Sequence, residues 1–194
     1  MWLKLVTPAA EMPVSLAEAK ANLQYGATDR DAFIGSLIAA ATAHLEGRSG
    51  ILGRSLVTQV WETRLDRFPC RYGGRIELPM PPLQEVNWIK YIDDAGVERT
   101  VAPADYVVDA QHIIGRIRPA YDKLWPVTRA EEGAVRIQFT AGYGAAAAVP
   151  DPIKQAIHLL VGHWWLNREA VGHAGGPHAF AVEALTMPFR VVPL

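Results

Sequence analysis

One cysteine, Cys70, stands in the whole chain. An intrachain disulfide and a cysteine zinc site are therefore excluded, and a reducing cytoplasm is expected. Long hydrophobic runs are missing too. The greasiest stretch, Ile153 to Leu166, carries His158 and His163 and falls short of the ~18 uncharged apolar residues that span a bilayer, so no membrane partner is expected. The opening MWLKLVTPAAEMP has a short apolar run broken by Pro8, without the h-region of a signal peptide. Neither sign of charge dominates. The 19 Lys and Arg face 20 Asp and Glu, for a net charge of −1, and the basic residues are scattered. A freestanding duplex-DNA binder normally clusters its cations in one patch.

Motifs that carry chemistry are equally scarce. Gly142-Tyr143-Gly144 follows a strand and precedes a helix, but no G-x-x-x-x-G-K-[ST] and no full G-x-G-x-x-G surrounds it, so its glycines read as a tight turn. No serine lies in G-x-S-x-G. His158 and His163 are five apart, about 140° around a helix, and cannot share a face; with His173 and His178 they read as core, interface or loop histidines rather than metal ligands. Glu131-Glu132 and the Asp93, Asp94, Glu98 group sit in turns, with no positioned carboxylate pair. No catalytic, cofactor or metal site is expected.

What remains is a globular composition, 50% hydrophobic and 20% charged, over 194 residues, which suits a single domain. Ser15 and Glu18 form a capping box opening a first helix that Gly26 closes. Thr28 or Asp29 caps a second, whose stripe runs Phe33, Ile34, Leu37, Ile38, Ala41, Leu45. Together, residues 15–50 read as a helical hairpin. From 55 to 140 the period drops to two, with strands expected around Val57–Leu65, Arg75–Leu78, Val86–Ile92, Val97–Val101, Tyr106–Val108, His112–Ile117 and Val135–Phe139, and a turn at Asp93–Gly96.

Asp151 as N-cap and Pro152 as the first helical residue start a long helix over 151–171, with the stripe Ile153, Ile157, Leu160, Trp164. Ala156, Leu159, Val161, Trp165 and Leu166 add apolar surface on other faces, so this helix is expected to be buried on more than one side. Trp164 and Trp165 point about 100° apart. They serve either a core and a subunit interface, with Arg168 and Glu169 pairing across the seam, or one wide groove within the domain. Residues 172–194, rich in Gly and Pro, read as an extended tail. Its large apolar groups either dock on a partner or fold back. The fold class is therefore α+β: a small bundle of two N-terminal helices and a long C-terminal helix, a β-rich insertion, and an extended tail.

The ordered blocks VSLAEAKANL (14–23), DRDAFIGSLIAAATAHLE (29–46), LVTQVWETRLDRFP (56–69), AGYG (141–144), VPDPIKQAI (149–157) and HWWLNRE (163–169) resemble the head–tail connector (adaptor) proteins of tailed phages and gene transfer agents. The resemblance covers most of the chain. It implies a structural virion protein, assembled in the host and residing in the particle neck. Such a protein forms a ring of about twelve copies beneath the portal, with DNA passing through and a stopper or tail-terminator protein docking below. A near-neutral chain suits a channel that lets DNA pass. The resemblance places portal docking in the C-terminal segment: Phe180, Leu185, Met187, Phe189, Arg190, Val192 and Leu194. The competing functions are a DNA-binding packaging or completion factor and a small enzyme with an unrecognised site in the β block.

Overall fold

The computed structural model describes residues 2–69, 74–167 and 177–191, and the chain divides into two compact units. One comprises Met1–Pro8 and Thr58–Gly142; the other comprises Ala9–Val57 and Tyr143–Leu194. Helices and antiparallel strands occur in separate stretches, the α+β class.

The first unit is all β. Its strands are β1 (Trp2–Thr7), β2 (Gln59–Leu65), β3 (Ile76–Glu77), β4 (Leu83–Ile92), β5 (Glu98–Thr100), β6 (Tyr106–Asp109), β7 (Arg116–Pro119) and β8 (Val135–Ala141). Five form a sheet in the order β1-β2-β8-β4-β5, and three form a smaller one in the order β3-β7-β6. The central strand is β8. Val135, Ile137 and Phe139 are fully buried on one face, and Arg136 and Gln138 take the other, as the period of two requires. Asp93–Gly96 makes the expected turn: Gly96 N–H donates to Asp93 O, and Gly96 adopts φ +80, which glycine tolerates without strain.

The N-terminal stretch is a paired edge strand; Trp2 lies opposite Arg64 and Leu5 opposite Trp61. One expectation fails here. The strand expected from His112 begins only at Arg116. Local hydrogen bonds hold the intervening backbone instead: Asp109 Oδ1 accepts from the amides of Gln111 and His112, and Ile114 N–H donates to His112 Nδ1 at 3.3 Å.

The second unit is helical: α1 (Leu16–Asn22), α2 (Asp31–Leu45), α3 (Asp151–Leu166) and α4 (Pro177–Thr186). The capping box is complete. Glu18 N–H donates to Ser15 Oγ at 3.2 Å, and Ser15 N–H donates to Glu18 Oε2 at 2.7 Å. At α2 the expected caps are not used. Arg30 occupies the cap position without a side-chain bond, and Asp29 accepts from the Tyr25 hydroxyl at 2.6 Å. At α3 the start lies one residue earlier than expected. Pro150 is the cap, its carbonyl accepting from the amides of Ile153 and Lys154, and Asp151 is already helical.

Ile34, Ile38, Ala41 and Leu45 of α2 share one core with Ile153, Ala156, Ile157 and Val161 of α3. Each large side chain here is worth about 1.5–3 kcal/mol in burial. The expected extended tail is a correction. Residues 177–186 are α4, which packs on α3, and a single 3₁₀ turn, Met187–Phe189, follows. Val182, Leu185, Thr186 and Phe189 recur at helical spacing; Val182 and Thr186 are buried, and Leu185 and Phe189 pack on the same core. Pro177 at the helix start and Pro188 after it mark the boundaries that flanking glycines obscured.

Candidate functional site

Among the described residues of the helical unit, the most exposed large hydrophobic side chains lie at the end of α3 and from α4 into the turn that follows. Leu166 is 80% exposed, Phe180 77% and Met187 72%. Phe180 lies on α4 and Met187 opens the 3₁₀ turn that follows it, with Glu183 and Ala184 exposed between them. Of the residues expected to dock a partner, Phe180, Met187 and Arg190 are exposed, whereas Leu185 and Phe189 turn inward. Val192 and Leu194 lie outside the described residues, as do Arg168 and Glu169.

Trp164 and Trp165 are both half-buried against the same core. The Trp165 ring sits 5.1 Å from Tyr25 and 6.0 Å from Phe33, and the Trp164 ring sits 6.3 Å from His44. Phe33 lies in the first turn of α2 and His44 in the last, so the splayed indoles straddle that helix. The pair thus has ring partners within its own unit.

The sheet carries a second organised surface. On its polar face Arg64 of β2 lies directly opposite Arg136 of β8, which lies opposite Lys90 of β4. Three cations in register repel. Two carboxylates hold them together. Glu62, buried, accepts from Arg136 at Nε and Nη2, both 3.2 Å, and from Arg64 Nε at 3.1 Å. Glu98 accepts from Arg136 Nη1 at 3.2 Å and from Lys90 Nζ at 2.9 Å. Indole faces cover the cations: Arg64 lies 4.2 Å over Trp2, and Lys90 and Arg136 lie 5.2 and 5.5 Å over Trp88. Burial would raise the Glu62 pKa, but its hydrogen bonds to Arg136 and Arg64 outweigh that and hold it below the ordinary 4.5. The same contacts raise Arg136 further. No sequence pattern announces this ladder, because its members come from five strands.

Among the described residues no group of three His, Cys, Asp or Glu could hold a metal ion. In the cavity lined by Phe68, Trp125 and Val127, Arg129 pairs with Glu131 at 3.5 Å and Asp66 accepts from the Gly133 amide at 2.9 Å. His163 is bonded to Asn167 and closes α3.

His158 is half-buried, its Nδ1 buried without a partner among the described residues. Burial pushes its pKa below 6.5, and the Glu18 carboxylate offsets this only in part. The folded state therefore binds this proton less readily than the unfolded chain. Stability should hold above pH 6.5 and fall as pH drops through that value towards the folded pKa. Urea midpoints at about pH 7.5 and about pH 5.5 should differ less in His158→Gln than in the wild type.

Neither a family model nor a curated protein matches the sequence. Solved structures do. A chain in the structure titled "Virion of native gene transfer agent (GTA) particle" is 30% identical, with a TM-score of 0.79, and the alignment covers 100% of this chain and 97% of that one. The chain belongs to the phage head–tail connector (adaptor) family. Two further structures agree with this connector over the same shares of each chain. "Neck of empty GTA particle computed with C6 symmetry" gives 28% identity and a TM-score of 0.80, and "Neck of native GTA particle computed with C12 symmetry" gives 27% and 0.71. Such coverage takes in both units of the connector, the exposed α4 face included. No described helix of the connector is long and apolar enough to cross a membrane.

Proposed function

We propose that this connector is a structural subunit of a virion neck, repeated as a ring between the portal above and a stopper or tail-terminator below, with DNA passing through the ring. The observation that carries the reading is the full-length likeness to gene transfer agent neck structures, two of them computed with C6 and C12 symmetry. The chain's own surface supports it. Phe180 and Met187 form an outward apolar face too prominent for an isolated helix, suited to docking on the portal together with Arg190 and the end of the chain. Trp164, Trp165 and Leu166 offer apolar surface for subunit packing. The ladder supports a channel wall that does not grip DNA, because each of its cations already has a carboxylate.

The test is the mass of the purified full-length protein, alone and titrated onto its portal. A ring-sized species or a stoichiometric portal complex is expected. A monomer that ignores the portal would overturn the reading.

A further inference from the structure

Arg54 is the odd residue of the helical unit. It is only 9% exposed, yet guanidinium stays charged at any pH the protein meets. Buried guanidinium normally faces a carboxylate, since an uncompensated buried charge is among the costliest features a fold can carry. Here no described carboxylate lies within ion-pair distance. Nη1 donates to the Tyr143 hydroxyl, the side chain lies 5.7 Å from the Tyr143 ring, and Nε is buried with no hydrogen-bond partner.

The loop around it is firmly held. Gly47 N–H donates to Arg54 O, Leu56 N–H to Glu46 Oε1, Tyr143 N–H to Leu56 O, and Val191 N–H to Leu52 O. The neighbours Leu52, Leu56 and Val57 are buried and apolar. The guanidinium is thus fixed in place, poorly hydrated and short of an acceptor.

We infer that Arg54 is a receptor for a carboxylate of the adjoining copy of this chain, completing a hydrogen-bonded ion pair when the ring closes. The inference rests on the ring reading above. A single guanidinium among apolar side chains does not suit a nucleic-acid backbone, which is tracked by rows of cations. It suits one acidic side chain, the arrangement typical of an arginine hot spot. The chain also carries the complementary half: Asp94, Asp122, Glu132, Asp151 and Glu183 are exposed, and no hydrogen bond or ion pair to their carboxylate groups occurs among the described residues. In a head-to-tail ring every copy presents both halves.

The experiment compares wild type, Arg54→Met and Phe180→Ser/Met187→Ser, each as the full chain, for urea stability and for titration onto the portal followed by mass. Arg54→Met should be at least as stable as wild type, because an unpaired buried cation is replaced by an apolar chain of similar length. Its cooperative ring formation should weaken by about a hundredfold. One amide variant among the five carboxylates should reproduce that loss. A destabilised Arg54→Met that still forms rings as wild type does would make Arg54 a structural residue and overturn the proposal. A loss reproduced by none of the amide variants would overturn the assignment to a second copy. Failure of the neck reading looks different, because the wild type itself would then form no ring and bind no portal.

Discussion

Val182→Asp should unfold or cripple the helical unit, while Phe180→Asp, two residues earlier on the same helix, should leave it intact. Val182 is 6% exposed, and its side chain joins the core formed by α2 and α3; Phe180 is 77% exposed. Consecutive helical positions turn by about 100°, so two residues apart is nearly the opposite face. An aspartate at 182 loses the valine's burial and must either desolvate a charge or take up a proton, at a combined cost of about 4 kcal/mol. At 180 the carboxylate stays in water, and the change should lie within about 0.5 kcal/mol. Portal binding should follow the reverse order of cause: Phe180→Asp keeps the fold and loses binding because the docking face is charged. Thermal melts and portal titration of the two variants decide it. Equal melting losses would place Phe180 in the core, and unchanged portal binding by Phe180→Asp would remove α4 from the docking surface. The pair is more informative than deletion of the C-terminal segment, because deletion would strip Val182, Leu185 and Phe189 from the core along with the outer face.

Glu62→Gln should cost the sheet about 2 kcal/mol. The wild-type carboxylate separates Arg64 from Arg136 and is nearly inaccessible, with 8% of its side chain exposed. A neutral amide leaves three aligned cations with Glu98 alone. The loss stays below that of a wholly buried ion pair because Arg64 and Arg136 keep 40% and 34% of their side-chain surface and can recover water. The sign with pH follows from the direction of the shift. Glu62 titrates below 4.5 in the folded state, so its contribution is present above pH 4.5 and is lost as pH falls through the folded value. Glu62→Gln should therefore be less stable at neutral pH and should converge with the wild type in acid. Parallel stability curves for the two proteins would show that the ladder contributes nothing through charge.

Where the determining chemistry was local, the sequence was readable. The Ser15–Glu18 box lies within one turn, and the alternation in β8 within seven residues, so both were legible. The stripe of α2 and the start of α3 were legible to within a residue or two. The pairing of β1 was not, because its partner β2 lies roughly sixty residues away. The helix α4 was missed because its period lasts barely two turns between glycines and prolines. Arg54 and the ladder were invisible for another reason. They depend on which charges the fold buries or aligns, and no one-dimensional pattern encodes that.

The way the chain threads its two units has a consequence for how it is made. Both units close late. The sheet cannot be completed until β8 emerges, since β8 separates β2 from β4. The stripe of α2 waits for α3, roughly a hundred residues downstream, which at ribosomal speed is on the order of ten seconds. For that interval Ile34, Ile38 and Leu45 lack the α3 side of their core. A nascent connector is therefore a natural client for a chaperone that shields apolar helices. Its yield in a foreign host should respond more to synthesis rate and chaperone supply than to the stability of the finished molecule.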